Sequence, residues 1–199
     1  MKLIFLLILG FNLAAAQNNY SLRVAVGKPT LHSLANILLG KFGAYRDDLK
    51  AYNLDGGYLL TKDLFTLPLD LYLKGGLTYY KDPFYNDVFG ADFYIKIYYN
   101  VDFWKNRIRI GFGEGVSYTN RILEIERIDA ALQNDNNSRF LNYLDISLDF
   151  DLGKLMKYKE LNEVYVGFLI KHRSGIVGTI NNVSHGGSNF ESIYIEKNF

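Results

Sequence analysis

The sequence predicts an all-β protein, an eight-stranded antiparallel outer-membrane β-barrel, and three observations carry that prediction. Segment after segment alternates apolar and polar residues with period two, the signature of strands with one greasy face. There are about eight such segments of roughly ten residues, the smallest common size for a membrane barrel. The N-terminus reads as an export signal, which sends the chain out of the cytoplasm.

The export signal is Met1-Lys2, an apolar stretch from Leu3 to Leu13 broken by Gly10 and Asn12, and Ala14-Ala15-Ala16 before Gln17. A charged start, a short hydrophobic segment and a small-residue cleavage site predict a signal peptide over residues 1–16, leaving 17–199 as a single transmembrane barrel domain. The alternative, a retained helical anchor, is disfavoured because the apolar run is short for a bilayer span.

The strands follow in order. Tyr20, Leu22, Val24 and Val26 alternate with Ser21, Arg23 and Ala25. A weaker segment runs from Leu49 to Leu59. Leu67, Leu69, Leu71 and Leu73 share one face of the third. Ala91, Phe93, Ile95, Ile97 and Tyr99 form the apolar face of the fourth, opposite charged residues and tyrosines. Ile108, Ile110 and Phe112 alternate with Arg107 and Arg109, and Phe140, Leu144, Ile146, Leu148 and Phe150 with Arg139, Asp145, Asp149 and Asp151. Val164 to Ser174 and Ser192 to Phe199 complete the set.

Alternation alone does not distinguish inside from outside, so a soluble or lipocalin-like barrel shares the pattern. The export signal, the Leu, Ile and Phe on the apolar faces, and the terminal Phe199, which resembles the recognition signal of outer-membrane barrels, favour the membrane. The links Thr61 to Leu64, Val101 to Asn106 and Leu152 to Asn162 are short or moderate. Gly27 to Asp48, Gly76 to Gly90, Tyr118 to Ser138 and Gly175 to Asn189 are longer and polar. Short turns face the periplasm and long loops the exterior, which places the chain in a Gram-negative cell outer membrane with both termini on the periplasmic side.

Composition excludes several function classes. With no Cys, disulfides and thiol nucleophiles are out. A formal net charge of +1 argues against a nucleic-acid partner, and no Cys/His spacing suits a metal; no cofactor is expected. Oligomeric state is left open.

The chemistry-bearing constellation lies at the end of the seventh strand. His172 and Ser174 are two residues apart, so they project from one face, as a nucleophile and its base must. They continue the greasy face of Val164, Val166, Phe168 and Ile170, which points at lipid near the outer leaflet. With Val164 assumed opposite Phe199, equal counting along each strand brings Glu191 opposite His172. Ionisable groups facing hydrocarbon are costly and usually functional; the bland reading is that they anchor the strand at the headgroups, as Lys197 does at the other end.

These features resemble the PagL-type outer-membrane lipid A 3-O-deacylases, a family also labelled acyloxyacyl hydrolase. The likeness rests on the export signal, the small barrel, the His-x-Ser of the penultimate strand, the acidic residue on the last strand and the aromatic C-terminus, and locally it covers Tyr165 to Phe199. It implies a metal-free carboxylic ester hydrolase with a Ser-His-Glu triad: Ser174 the nucleophile, His172 its base, Glu191 the orienting acid. The implied substrate is lipid A in the lipopolysaccharide of the outer leaflet, and the implied reaction removes an ester-linked 3-hydroxyacyl chain. The family commonly reads His-x-Ser-Asn, whereas Gly175 follows Ser174 here, and the segment up to Glu191 is longer than usual. Candidate oxyanion donors are the amides of Asn182 and Asn189 or backbone N–H groups around Gly175 and Gly178. Two rival classes stand beside this one: a non-catalytic structural or adhesion barrel, and a lipid A acyltransferase, which needs a lumen pocket for an acyl chain. The inward Asp145, Asp149, Asp151, Lys96, Arg107 and Arg109 predict a polar, hydrogen-bonded interior instead.

Three further motifs read as structural. Gly111 to Gly115 looks like a phosphate loop, but alternate glycines in a strand make room for bulky neighbours. Ser184 to Asn189 is a turn-rich connection in which His185 is a spare base at most. Glu124, Glu126 and Asp129 read as a solvated loop rather than a cation site.

Overall fold

The structure, a computed structural model describing residues 19–199 except 47, 177 and 186, is a closed antiparallel barrel. The strands are β1 (Tyr20–Thr30), β2 (Lys50–Thr61), β3 (Leu69–Lys81), β4 (Val88–Phe103), β5 (Asn106–Thr119), β6 (Phe140–Asp151), β7 (Val164–Ser174) and β8 (Ser188–Asn198). Each pairs with the next in sequence, and β8 closes on β1. The expected signal peptide over residues 1–16 lies outside the described residues. Among the described residues no helix is long and apolar enough to cross a membrane.

Which way the faces point is settled by burial. Val24, Leu54, Leu77, Phe93, Ile95, Ile110, Phe112, Leu148 and Ile193 lie on the exposed outer wall. The alternate positions turn inward and carry charge: Arg23, Asp55, Lys74, Asp92, Lys96, Arg109, Asp145, Asp149, Lys171 and Glu196 are all buried. That is a membrane barrel, the inverse of a soluble one. Aromatic pairs mark both rims. Tyr20 meets Tyr58 at 5.4 Å and Phe199 at 6.2 Å near the termini, while Tyr79 meets Phe89 at 5.2 Å and Tyr52 at 6.3 Å near the other end, as amphipathic rings do at membrane interfaces.

The interior is a neutralised network. Arg23 donates to Asp55 at 2.9 Å and to Tyr94 at 2.8 Å, and also reaches Asp145, which Lys96 approaches from the far wall. Lys74 pairs with Glu196 at 2.8 Å. Arg109 grips Asp149 through two parallel bonds of 2.8 Å, and its guanidinium lies over the Tyr98 and Tyr165 rings. Charges out of water persist only when paired and hydrogen-bonded. The described middle of the barrel is thereby occupied by paired charges and tyrosines, the polar interior that the inward residues predict.

Several expected boundaries are corrected. The segment Gly76 to Gly90, expected as a long loop, is mostly strand, leaving residues 82–87 as the connection. Gly76 is a space-maker rather than a turn former: a Cβ there would stand 2.1 Å from Asp55 Oδ1. The link expected to begin at Gly27 begins after Thr30 for the same reason, since a Gly27 Cβ would meet Ser192 Oγ at 2.0 Å. Gly111 and Gly113 give way to Lys96, Tyr98 and Tyr94, as the space-making reading of the glycine run requires. The other long loops, residues 31–49, 120–139 and 175–187, open at the same end. They carry short helices that period-two reading does not reveal: α1 (Leu34–Leu38) and α2 (Glu124–Gln133); α3 (Leu152–Met156) lies in a turn at the opposite end. Glu124, Glu126 and Asp129 are therefore on a helix, not in a solvated loop, and Glu126 is fully buried.

Asp149 accepts both bonds from Arg109 and one from Tyr194. Asp149→Ala strands a buried guanidinium, so the barrel should lose about 3–5 kcal/mol, read as a lower urea midpoint for unfolding in detergent.

Candidate functional site

A polar patch interrupts the apolar outer wall at the long-loop end of β5 to β8 and β1. Strand register assembles it row by row. Glu114, Leu144, His172, Asn189 and Thr30 lie side by side across five strands. One step further out, Val116, Asn142 and Ser174 are aligned. One step further in, Ile146, Ile170, Glu191 and Lys28 are aligned. Alternation sends every one of these side chains outward, so His172 and Ser174 share the lipid-facing wall.

The register differs by two residues from the equal-length count. Val164 pairs with Lys197, not Phe199, because the barrel staggers its strands. Phe199 lies beyond β8 and pairs through its backbone with Tyr20 of β1. Consequently Asn189 stands opposite His172, and Glu191 stands opposite Ile170. Asn189 Oδ1 lies 2.6 Å from His172 Nδ1. Glu191 instead accepts the Gly43 N–H at 3.2 Å, pinning the first long loop to the outer wall.

This arrangement defines a tautomer. Asn189 Nδ2 donates to the His32 carbonyl at 3.0 Å. A carbonyl only accepts, so the amide oxygen must face His172. An amide oxygen also only accepts, so Nδ1 carries the imidazole proton and Nε2 is left with its lone pair. That is the form a general base needs. The Ser174 hydroxyl, partly exposed, has no hydrogen-bond partner among the described residues. Its neighbour across the ladder, Asn142, is buried and donates to Glu114 and to the Gly115 carbonyl, the latter at 3.1 Å.

The candidate oxyanion donors separate clearly. Asn189 is committed to His172 and His32. The Gly178 N–H is taken by the Val183 carbonyl at 2.9 Å. Asn182 lies in the outer loop, where its carbonyl accepts from Asn136 at 3.2 Å. At Gly175 a Cβ would stand 2.0 Å from the Val183 carbonyl oxygen, so the close backbone approach leaves no room for a side chain. Asn142 and Glu114 escaped sequence reading, although a signal exists: each is the polar intrusion in an otherwise apolar outward row of its strand.

Beside the patch the first long loop folds down over the wall. The Phe42 ring packs edge-on against Phe168 at 5.2 Å. Between loop and barrel runs a groove of about 610 Å³ floored by Val26, Phe168 and Ile193, with Lys28, Lys50 and Glu191 also lining it. Its volume falls in the range of small-molecule sites. Among the described residues no cluster of metal-ligating side chains occurs.

No protein-family model and no curated protein matches the sequence. The barrel is similar to solved structures. It matches the crystal structure of the outer membrane enzyme PagL at 16% identity and a TM-score of 0.60, over 90% of this chain and 99% of that one. It matches the crystal structure of Neisserial surface protein A (NspA) at 12% identity and a TM-score of 0.52, over 94% of this chain and all of the other. The fold is thus that of a Gram-negative outer-membrane barrel, shared by an enzyme and by a surface protein.

The third and fourth long loops are sewn together above the site. Asp135 accepts the Ser184 N–H at 2.7 Å and also that of His185. The backbone N–H of His185, then that of Asn136, hold its carboxyl below the usual aspartate range. A depressed folded pKa means that the tie is fully present above the unfolded value and is lost as pH falls through the folded one. The Ser184 and His185 amide shifts should therefore titrate below about pH 3.9, and Asp135→Asn should abolish that titration in an NMR series.

Proposed function

We propose that this barrel is a serine esterase of the outer leaflet that removes one ester-linked 3-hydroxyacyl chain from lipid A. The observation that carries the reading is the fixed tautomer: on a wall facing lipid, a His with a bare Nε2 stands two residues from a Ser hydroxyl that has no hydrogen-bond partner among the described residues. Rotation of the Ser174 side chain, with the His172 ring held by Asn189, brings the hydroxyl toward Nε2. His172 Nε2 takes the Ser174 proton as Oγ adds to the ester carbonyl; the proton then passes to the departing sugar oxygen, leaving an acyl-serine. Water, deprotonated by the same imidazole, attacks that ester and releases the fatty acid and Ser174.

In this reading Asn189 takes the orienting role that the family resemblance gives to Glu191. An amide can hold the tautomer and ring plane without a formal charge, as in the Cys-His-Asn arrangement of papain-like proteases. Glu191 acts at one remove, holding Gly43 and with it the loop whose His32 carbonyl turns the Asn189 amide. Asn142, opposite Ser174 on the adjoining strand, meets an oxyanion only by giving up one of its bonds to Glu114 or the Gly115 carbonyl. The groove under Phe42 offers an acyl chain a seat in reach of the outer leaflet. A site on the outer wall has no need to extract its lipid from the membrane.

A second reading, a non-catalytic surface barrel, draws on the absence of a hydrogen bond between Ser174 and His172 among the described residues. The two readings separate in lipid A mass spectrometry of a Gram-negative host expressing the chain. The native protein should remove the mass of one 3-hydroxyacyl group, and Ser174→Ala and His172→Ala should abolish the change. Unchanged lipid A with a folded native barrel, in cells and in micelles, sinks the esterase. Asn189→Ala should lower kcat by about 10²-fold, while Glu191→Gln should cost less; the reverse ranking returns the orienting role to Glu191.

A further inference from the structure

We infer that Glu126, on helix α2, is a positioning residue that sets the geometry of the outward-facing site from inside the barrel. This inference rests on the esterase reading for its catalytic consequence, though not for its structural one. Arg173 lies between His172 and Ser174 in sequence, and alternation turns its side chain into the lumen while theirs face lipid. Ser188 stands in the same relation to Asn189. Arg173 and Ser188 oppose each other as the final rung of the β7–β8 ladder, one position beyond the rung formed by His172 and Asn189.

Strand ends fray unless something holds them. Here Glu126 holds both at once. Ser188 Oγ donates to Glu126 Oε1 at 2.7 Å, and Arg173 Nε lies 3.3 Å from the same oxygen. Glu126 and Arg173 are fully buried and Ser188 is 3% exposed. A carboxylate and a guanidinium in such a place are expensive to separate, since each would be left as an uncompensated charge. The clamp therefore fixes where the last rung lies, and through the shared backbone it fixes the approach of His172 Nδ1 to Asn189 Oδ1. The outward polar residues hold each other and the first loop, whereas Glu126 ties the two strands from behind.

The test is the His172 tautomer, read by NMR of ¹⁵N-histidine-labelled protein in micelles, with His172→Gln assigning the signal. The native barrel should show a protonated Nδ1. Glu126→Ala, checked for closure by its heat-dependent gel mobility, should shift the signal toward the other tautomer or an exchange average. Ser188→Ala, which removes one arm, should give a smaller shift. If Glu126→Ala does not close, Ser188→Ala and Glu126→Gln decide the matter. Native-like His172 signals in every folded variant overturn the inference. In the lipid A assay the same variants should lose about tenfold in kcat with KM within twofold, a split that general loss of folded protein does not produce. A shifted tautomer in the variants, with no hydrolysis even by the native chain, keeps the clamp and removes the esterase; hydrolysis unaltered by the variants, with an unaltered tautomer, does the opposite.

Discussion

Charge neutrality in a lumen sealed from water governs the molecule. Arg23, Lys74, Lys96, Arg109 and Lys171 each find a carboxylate on another strand, Lys74 and Lys171 across the lumen. Such pairs contribute little net stability when made but cost several kcal/mol when broken. They therefore select one register over its neighbours more than they add to folding energy. A one-residue slip would send every charge into lipid, and a two-residue slip would misalign donors and acceptors throughout the network. The inward glycines belong to the same constraint, since Gly76 and Gly111 exist to leave room for Asp55 and Lys96.

The selected register is what creates the outward site. Because Arg173 must meet Ser188 and Glu126 inside, His172 must meet Asn189 outside. The same strands thus serve two solvents, with adjacent residues reporting to opposite environments. The first long loop adds the third contact, the His32 carbonyl, without which the Asn189 amide would be free to turn over. A site on a smooth wall lacks the concavity that usually immobilises side chains; here the immobilising groups come from the lumen on one side and from a draped loop on the other.

A polar patch in contact with hydrocarbon carries a depth-dependent cost, small near the interface and larger toward the midplane. Glu114, Asn142, His172, Asn189 and Glu191 reduce it by bonding among themselves or to loop backbone. Ser174 does not share in those bonds. Among the described residues its hydroxyl has no hydrogen-bond partner, so it stands apart from the bonds that secure the rest of the patch.

Alternation in the sequence determines the all-β class, the number of strands, the antiparallel order and the face shared by His172 and Ser174, because each depends only on residues near in sequence and on period two. The inward charges predict the filled lumen for the same reason. The stagger is not local: it depends on how all eight strands close, so it is absent from any single strand, and it replaces Glu191 by Asn189 beside His172. Glycine misleads in sequence, since Gly76 reads as a turn until Asp55 is seen occupying its space. Loop helices escape as well, and with them Glu126, which looks like a solvated acid until tertiary structure buries it against Arg173. Sequence determines which side chains face lipid together; only closure of the barrel decides which of them touch, because contact between strands is set by a register that neighbouring residues do not encode.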